Sequence, residues 1–157
     1  MSKDHVQYDT APPPDWLARL AFNWQKTPGV WLGGRPAEPP ADFASVDVDR
    51  VAWVESRARL PYVVALGYLG LGKAVYLVAQ PHATWYARLR RNPDVRLRIL
   101  NSVYAMHASV VEDDAELGRM LELYNQKYED WIDEFYGSPY AIDNVRERVV
   151  PLRLTPR

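Results

Sequence analysis

The sequence predicts an α+β domain that is mainly β, with antiparallel strands that form a small barrel. Three observations lead to this fold class: a hydrophobic period of two between residues 44 and 111, a short helical segment at residues 82–91, and a long helical segment at residues 113–136 ahead of a closing strand. A chain of 157 residues can bury a core of its own, so this domain folds without a disulfide, and the chain contains no cysteine.

The first 40 residues differ in pattern from the rest. Asp15 follows three prolines and is a suitable N-cap for a helix over residues 16–24, whose apolar side chains recur at helical spacing. A Pro-Gly pair ends this helix ahead of a loop. We therefore predict an N-terminal extension with one helix at residues 1–40 and the barrel domain at residues 41–157.

The strands are predicted from alternation and from short apolar runs. Valine and aspartate alternate from Val46 to Asp49 and the run continues to Val54, which predicts the first strand. Later strands are expected at residues 62–68, 74–79, 94–99 and 103–111, with a glycine-containing hairpin turn between the first two of these. The last strand, Arg148–Leu154, contains Pro151, which indicates an edge position or a bulge.

The long helix over residues 113–136 begins with acidic side chains, which suit a helix N-terminus. Its apolar stripe includes aromatic side chains that either belong to the core or a dimer contact, or close a pocket over a flat ring. These side chains are Tyr124, Tyr128, Trp131 and Tyr136.

Composition excludes several classes of function. The net charge is −1 and no strand interleaves basic and aromatic side chains, so we expect no nucleic-acid binding. The lack of cysteine excludes thiol catalysis, and the three histidines are too far apart in sequence to suggest a metal cluster. No run of about 20 apolar residues is present, so we expect a cytoplasmic protein without a membrane span.

Charge is distributed unevenly along the chain. Residues 51–111 carry eight basic and two acidic side chains, whereas residues 112–157 carry six basic and eleven acidic ones. This pattern indicates either an anionic ligand bound by the middle segment or a basic sheet covered by an acidic helix.

One segment carries a family resemblance. Residues 82–95 read H-x-x-W-Y-x-x-L-x-x-N-P-x-V, which resembles the deazaflavin-dependent nitroreductase family, part of the split β-barrel flavin-binding group that includes pyridoxamine-phosphate-oxidase-like proteins. The segments Tyr76–Ala79, Leu123–Tyr128 and Val149–Leu154 fit the same group, so the resemblance covers about residues 44–157. It implies a split β-barrel, a bound flavin or deazaflavin (FMN or F420), and a homodimer with the cofactor at or near the subunit interface.

The resemblance also indicates which residues would bind the cofactor. Arg57 and Pro61 match the family's phosphate-binding turn before the second strand, whereas Glu55 and Arg59 replace its two glycines. Arg57 and Arg59 point the same way in an extended chain, and with the arginines of the short helix they suit a phosphate or a carboxylate. The candidate cofactor-binding residues are Arg57, Arg59, Pro61, Gln80, His82, Trp85, Tyr86 and Arg90.

These candidates also have structural interpretations. His82 heads the short helix, where it is either a neutral hydrogen-bond partner of a ligand or a capping or surface histidine. Trp85 is either a core anchor or a stacking partner of the cofactor, and the arginines are either ligand contacts or solvated side chains. His107 is expected to be a satisfied histidine within its strand.

Two functions remain open from the sequence. The first is a flavin- or deazaflavin-dependent oxidoreductase that passes hydride to a small aromatic or quinone-like acceptor, with no catalytic acid or base from the chain. The second is a cofactor-less split barrel that binds a hydrophobic small molecule, which the missing glycines and the short loop at Gln80 favour. Replacing Arg57 and Arg59 by alanine separates the two, because only the first function requires a large loss of flavin affinity.

Overall fold

The structure is a computed structural model that describes residues 31–57 and 61–157. Within these residues eight strands form one sheet: β1 (Arg35–Pro36), β2 (Val51–Arg57), β3 (Pro61–Gly67), β4 (Leu69–Leu71), β5 (Ala74–Ala79), β6 (Asp94–Ile99), β7 (Ser102–Val110) and β8 (Val150–Pro156). The same residues form the helices α1 (Thr84–Arg91), α2 (Asp114–Lys127), α3 (Glu129–Trp131) and α4 (Val145–Arg148), a 3-10 turn (Phe43–Val46) and a π-helical turn (Ile132–Tyr136). The helix predicted over residues 16–24 lies outside the described residues.

The sheet confirms the predicted, mainly antiparallel split barrel. Its strand order is β3-β2-β6-β7-β8-β5-β4, and each neighbouring pair on this path is antiparallel. β1 pairs in parallel with the first residues of β7, which β8 does not reach. As predicted, α1 lies between two strands of the sheet and the long helix precedes the closing strand.

β3 and β4 are two halves of one strand that bends at Tyr68. The first half pairs with β2, from Pro61 opposite Arg57 to Gly67 opposite Val51, and the second half pairs with β5. The two ends of the strand order are therefore joined through a single residue. β3 and β5 form no ladder with each other, and the opening between them is the split of the barrel.

The hydroxyl group of Tyr128 holds this bend. It accepts a hydrogen bond from the N–H of Tyr68 at 2.7 Å and donates one to the carbonyl of Arg50 at 2.6 Å. Arg50 would face Tyr68 if the β2–β3 register continued by one step, so the hydroxyl replaces a backbone hydrogen bond where the pairing stops. Nearby, the Lys127 ammonium donates to the carbonyl of Tyr68 at 2.7 Å and pairs with Asp47.

The long helical segment covers nearly the predicted range but is interrupted at Tyr128. α2 begins after Asp113, whose side chain caps the N–H of Glu116 at 2.8 Å, and it ends at Lys127. Tyr128 leaves the helical conformation, with φ −112° and ψ 24°, and α3 and the π-helical turn then continue to Tyr136. The interruption coincides with the long-range hydrogen bonds of the Tyr128 hydroxyl at the strand bend.

The predicted first strand is wrong over residues 46–49. The carboxylate of Asp42 accepts a hydrogen bond from the N–H of Ala44 at 2.8 Å and so favours the 3-10 turn over an extended chain. The strand starts only at Val51, and the alternating Val48 is exposed. This loop contributes Phe43 to the barrel core.

The predicted edge position of Pro151 is also wrong. β8 lies between β5 and β7, and both ladders run across it in continuous register, without a bulge. The carbonyl of Pro151 accepts from the N–H of Val111 at 3.0 Å, just beyond the end of β7, and the nitrogen of a strand residue faces the same side as its carbonyl. Proline is tolerated because its missing N–H removes no hydrogen bond to β5.

Apolar side chains are buried on both faces of the sheet. The barrel interior holds alternate side chains of the strands together with Trp85, Tyr86 and Leu89 of α1. In β6 the apolar positions are buried and the charged positions are partly exposed, which confirms the predicted alternation. A second cluster packs α2 against β4 and β5.

The segment that precedes the 3-10 turn is tied to the sheet. The N–H of Arg35 donates to the carbonyl of Asn101 at 2.7 Å, and the buried Leu32 packs against Val103. The division of the chain at residue 40 stays a prediction.

We expect Tyr76 to make the stability of the fold decline at alkaline pH. Its hydroxyl, on β5, donates to Glu116 of α2 at 2.9 Å, and Arg153 binds the same carboxylate at 2.7 and 2.6 Å. Burial, reinforced by the bond to Glu116, raises the pKa of Tyr76 from 10.0 to about 12. The stabilisation by the protonated hydroxyl is therefore complete below pH 10.0 and is lost as the pH rises toward about 12.

Urea unfolding over this pH range measures the effect. Tyr76→Phe is expected to reduce the decline in the free energy of unfolding, leaving the part due to Tyr68, Tyr128 and Tyr140, whose pKa values burial also raises. The same decline in wild type and variant would contradict this role for Tyr76.

Candidate functional site

A groove of about 450 Å³ lies in the split of the barrel. β3 forms one wall, the connection from β5 into α1 forms another, and Tyr124 and Tyr140 also line it. None of the described residues that line the groove is acidic, and His82 is the titratable side chain among them besides the tyrosines. The groove therefore offers a largely apolar environment with a few polar groups, which is typical of a small-molecule site.

The wall formed by β3 is the edge of a strand. β3 pairs with β2 along its whole length, and no other described strand pairs with its second side. Alternate residues of a strand direct their N–H and C=O groups to a given side, so β3 presents main-chain donors and acceptors along this edge. Such an edge suits a planar heterocycle whose own donors and acceptors lie in a row.

Aromatic rings form much of the remaining lining. Tyr62 comes from β3, Trp85 from α1, Tyr124 from α2 and Tyr140 from the loop before α4. A Cβ at Gly67 would lie 3.2 Å from the hydroxyl of Tyr124, so glycine lets the rings of α2 approach the strand. Flat apolar faces with polar ends favour an aromatic ligand.

Side chains from two other elements hold Tyr140 in place. The Asn125 amide donates to the carbonyl of Tyr140 at 2.7 Å and accepts from its N–H at 3.1 Å. The Arg148 guanidinium lies 4.5 Å from the centre of the Tyr140 ring. Burial raises the pKa of Tyr140, with the charge of Arg148 acting in the opposite direction, so the hydroxyl is protonated at neutral pH.

α1 begins at the groove without a side-chain cap. The helix starts at Thr84, and its N-cap is Ala83, which has no side-chain acceptor. His82 therefore does not head the helix as predicted, but lies exposed in the preceding turn, where it lines the groove. The N–H groups in the first turn of α1 remain available to an acceptor from outside the helix.

Three of the predicted cofactor-binding residues meet in the groove. Gln80, His82 and Trp85 line it, and Pro61 begins β3 directly before Tyr62. Tyr86 is instead packed in the barrel core, where its ring meets that of Trp85 edge-on at 6.4 Å.

The arginines predicted to bind the cofactor are not among the described residues that line the groove. Arg90 is exposed, and its guanidinium lies 5.6 Å from the centre of the Tyr86 ring. The backbone of Arg57 ends β2 opposite Pro61, whereas its side chain and the whole of Arg59 lie outside the described residues. Their part in binding a cofactor stays a prediction.

The aromatic stripe of the long helix divides between the two roles expected for it. Tyr124 lines the groove, while Tyr128 is fully buried at the strand bend. Trp131 lies under the Arg50 guanidinium at 4.5 Å, and the side chain of Tyr136 is outside the described residues.

Sequence reasoning missed Tyr62, Gly67 and Tyr140 as parts of the groove. The first two lie in a continuously apolar strand, in which no period separates the groove side from the barrel side. Tyr140 lies in a loop 15 residues beyond Asn125, which holds it there. The sequence signal for this part of the groove is Asn125, which lies in the segment Leu123–Tyr128 that fits the family resemblance.

Other kinds of site find no support in the part of the chain that the structure describes. Its residues contain no group of three or more His, Cys, Asp or Glu side chains placed to hold a metal ion. No described helix is long and apolar enough to cross a membrane. The Nδ1 of His107 lies 2.9 Å from the carboxylate of Asp94, a surface pair away from the groove.

Comparison with known families gives one match. The family described as F420H(2)-dependent quinone reductase matches residues 55–138, more than half of the chain and a span that includes the groove residues from Tyr62 to Tyr124. This match confirms the resemblance to deazaflavin-dependent proteins. No curated protein matches the sequence.

Solved structures share the fold. A FAD-binding protein from Mesorhizobium loti is 17% identical, with a TM-score of 0.53 over 71% of this chain and 84% of that chain. An F420-H2 dependent reductase is 15% identical, with a TM-score of 0.52 over 68% and 93%. The heme storage protein HutZ of Vibrio cholerae is 17% identical, with a TM-score of 0.54 over 72% and 86%. At these identities the likeness shows the split-barrel fold.

Proposed function

The chain belongs to the F420H(2)-dependent quinone reductase family, and on this premise we propose that it is an oxidoreductase that binds F420 or FMN and passes hydride to a small aromatic or quinone-like acceptor. The groove in the barrel split is the proposed site for both molecules. The observation that carries the proposal is that aromatic rings and a strand edge without a described partner strand line the same groove of about 450 Å³.

The residues of the groove fit a flavin-like ring. The main chain of β3 offers donors and acceptors to the polar edge of the ring, and Tyr62 and Trp85 offer flat surfaces. We assign Gln80 and His82 to the polar substituents of the cofactor. When bound, the cofactor supplies the hydride chemistry, so the chain needs no catalytic acid or base.

The chain then has two tasks: to orient the cofactor and the acceptor, and to exclude water from the groove. Tyr124 and Tyr140 are buried next to the groove and restrict the space in which a flat acceptor can lie. We assign the protonated hydroxyl of Tyr140, which lines the groove, to a hydrogen bond with a carbonyl oxygen of the acceptor, such as that of a quinone. An acceptor held in one orientation reacts faster because its orientational entropy has already been lost on binding.

The proposal includes the homodimer that the resemblance implies and the cytoplasmic location expected from the sequence. A groove close to the subunit interface would be completed by the second copy of the chain. Light scattering of the purified protein measures this, and a monomer mass that persists at high concentration would remove the dimer from the proposal.

Titration of the protein with FMN and with F420, followed by absorbance and fluorescence, tests cofactor binding. Saturable binding of one of them, at micromolar or lower concentration, is expected. Oxidation of the reduced cofactor by menadione, followed without oxygen, then tests turnover. Binding of neither cofactor would exclude the oxidoreductase and favour the cofactor-less barrel that holds a hydrophobic molecule.

We expect Asn125→Ala to weaken binding in the groove without unfolding the protein. The variant loses both hydrogen bonds to the backbone of Tyr140, each of which contributes about 0.5–1.5 kcal/mol. The KM for menadione is therefore expected to rise by about fivefold or more.

Asn144→Ala is the matched control. Its side chain accepts from the N–H of Ala141 at 3.1 Å in the same loop and does not line the groove. Equal KM values for the two variants would contradict a specific role of Asn125 in holding Tyr140.

A further inference from the structure

Arg88 is a cation without a counter-ion behind the wall of the groove. Its guanidinium lies 4.5 Å from the centre of the Tyr62 ring, and Tyr62 lines the groove. The Nη1 of Arg88 is buried and has no hydrogen-bond partner. Within the described residues Arg88 takes part in no hydrogen bond and no ion pair.

A buried charged nitrogen without a hydrogen-bond partner is unfavourable, because the contact with the Tyr62 ring replaces only part of its lost hydration. Such a group in a native fold indicates a missing partner. The buried carboxylate of Glu55, on the strand next to β3, does not serve, because Arg96 binds both of its oxygens at 2.8 and 2.7 Å. No described carboxylate pairs with Arg88, so an anion from outside the described residues would supply the missing partner.

Arg88 does not itself line the groove, but its position on α1 lies next to residues that do. Arg88 lies four residues after Thr84, so the two share one face of the helix, and Thr84 lines the groove. Side chains of a helix lean toward its N-terminus, which here has no side-chain cap. An anion at this point receives both the guanidinium and the unpaired N–H groups of the first turn.

We propose that Arg88 binds the anionic group, a phosphate or a carboxylate, of the ligand that occupies the groove. The proposal rests on the proposed function, because it makes Arg88 the residue that distinguishes a charged cofactor or acceptor from a neutral one of the same ring system. A guanidinium is well matched to such a group, since its N–H donors form paired hydrogen bonds with two oxygens.

FMN and riboflavin differ only in the phosphate, which makes them suitable probes. Wild type is expected to bind FMN about tenfold or more tightly than riboflavin, and Arg88→Gln to remove this difference by weakening FMN alone. Arg88→Lys, which keeps the charge, is expected to retain part of the preference. The matched control is Arg119→Gln, which removes an exposed arginine on α2 that does not line the groove, and it should retain the full preference.

The acceptor is the second source of an anion. If Arg88→Gln leaves the FMN preference intact, kcat/KM is compared for neutral menadione and for a quinone that carries a carboxylate. A loss confined to the charged quinone assigns Arg88 to the acceptor. Unchanged values in both comparisons overturn the proposal.

A third measurement separates this proposal from the proposed function. Inorganic pyrophosphate is expected to raise the Tm of wild type and of Arg119→Gln but not that of Arg88→Gln. If wild type binds neither cofactor yet shows this difference, the oxidoreductase fails while the anion site stands. If the rise in Tm is the same in all three proteins and the wild type binds no flavin, the anion site fails as well. The Tm without ligand shows that each variant is folded.

Discussion

Replacing Gly70 by alanine is expected to lower the free energy of unfolding by about 3 kcal/mol or more. A Cβ at this position would lie 2.2 Å from the carbonyl oxygen of Phe43 and 2.9 Å from its carbonyl carbon, and both are backbone atoms. The turn at Phe43 is fixed, because its N–H donates to the carbonyl of Gly72 at 2.8 Å, while the N–H of Gly72 donates to Asp42 at 2.8 Å. The strand would have to shift where it pairs with β5.

Gly72→Ala is the control for this experiment. Gly72 lies in the same hairpin and has a φ of +59°, but no atom outside its chain neighbours lies within 4 Å of a Cβ placed there. Only the backbone conformation opposes alanine at this position, at a cost of about 1 kcal/mol. Urea unfolding measures both variants, and equal losses would show that the close approach of Phe43 is not what requires glycine at position 70.

The second large effect is expected for Tyr128→Phe, at about 3 kcal/mol. The variant keeps the ring and removes only the hydroxyl, which joins the N–H of Tyr68 to the carbonyl of Arg50 in a fully buried site. A buried polar group left without a partner costs about 1–3 kcal/mol, and here both a donor and an acceptor lose theirs.

Tyr104→Phe provides the comparison. Tyr104 is 4% exposed in the barrel core, and its hydroxyl makes no hydrogen bond to the described residues, so its loss should cost well under about 1 kcal/mol. If Tyr128→Phe proved equally mild, the backbone groups of Tyr68 and Arg50 would have to bond directly and extend the β2–β3 ladder.

The parts of the fold that follow local rules could be predicted from the sequence. The alternation in β6 and the apolar run in β5 gave the correct strands, because each segment has one partner arrangement that buries its apolar side chains. α1 was predicted from its apolar spacing and from the Asn-Pro pair that ends it.

The predictions that were wrong or incomplete concern elements whose structure depends on residues outside their own segment. The long helical segment is interrupted at Tyr128, whose hydroxyl contacts a residue 60 positions away, and no local pattern encodes that contact. Pro151 is accommodated inside the sheet because β7 ends beside it, a matter of relative strand length. At residues 46–49 the capping carboxylate of Asp42 outweighed an alternation that is typical of strands.

The same division applies to the candidate site. Gln80, His82 and Trp85 were recognised because they belong to one continuous segment with a family pattern. Tyr140 and Gly67 entered the groove through tertiary packing, and Arg88 stood out from the neighbouring arginines only once its surroundings were known. The roles of Arg57 and Arg59 stay predictions.

The unpaired edge of β3 has a consequence for mutational scanning. Alanine substitution of residues 62–64 and 66 changes the side chains but leaves every N–H and C=O of that strand in place. A scan would therefore measure packing around a ligand and report little of its polar recognition. Replacing a single amide bond of this segment by an ester removes one N–H donor at a time. Among substitutions by the standard amino acids, only proline removes such a donor.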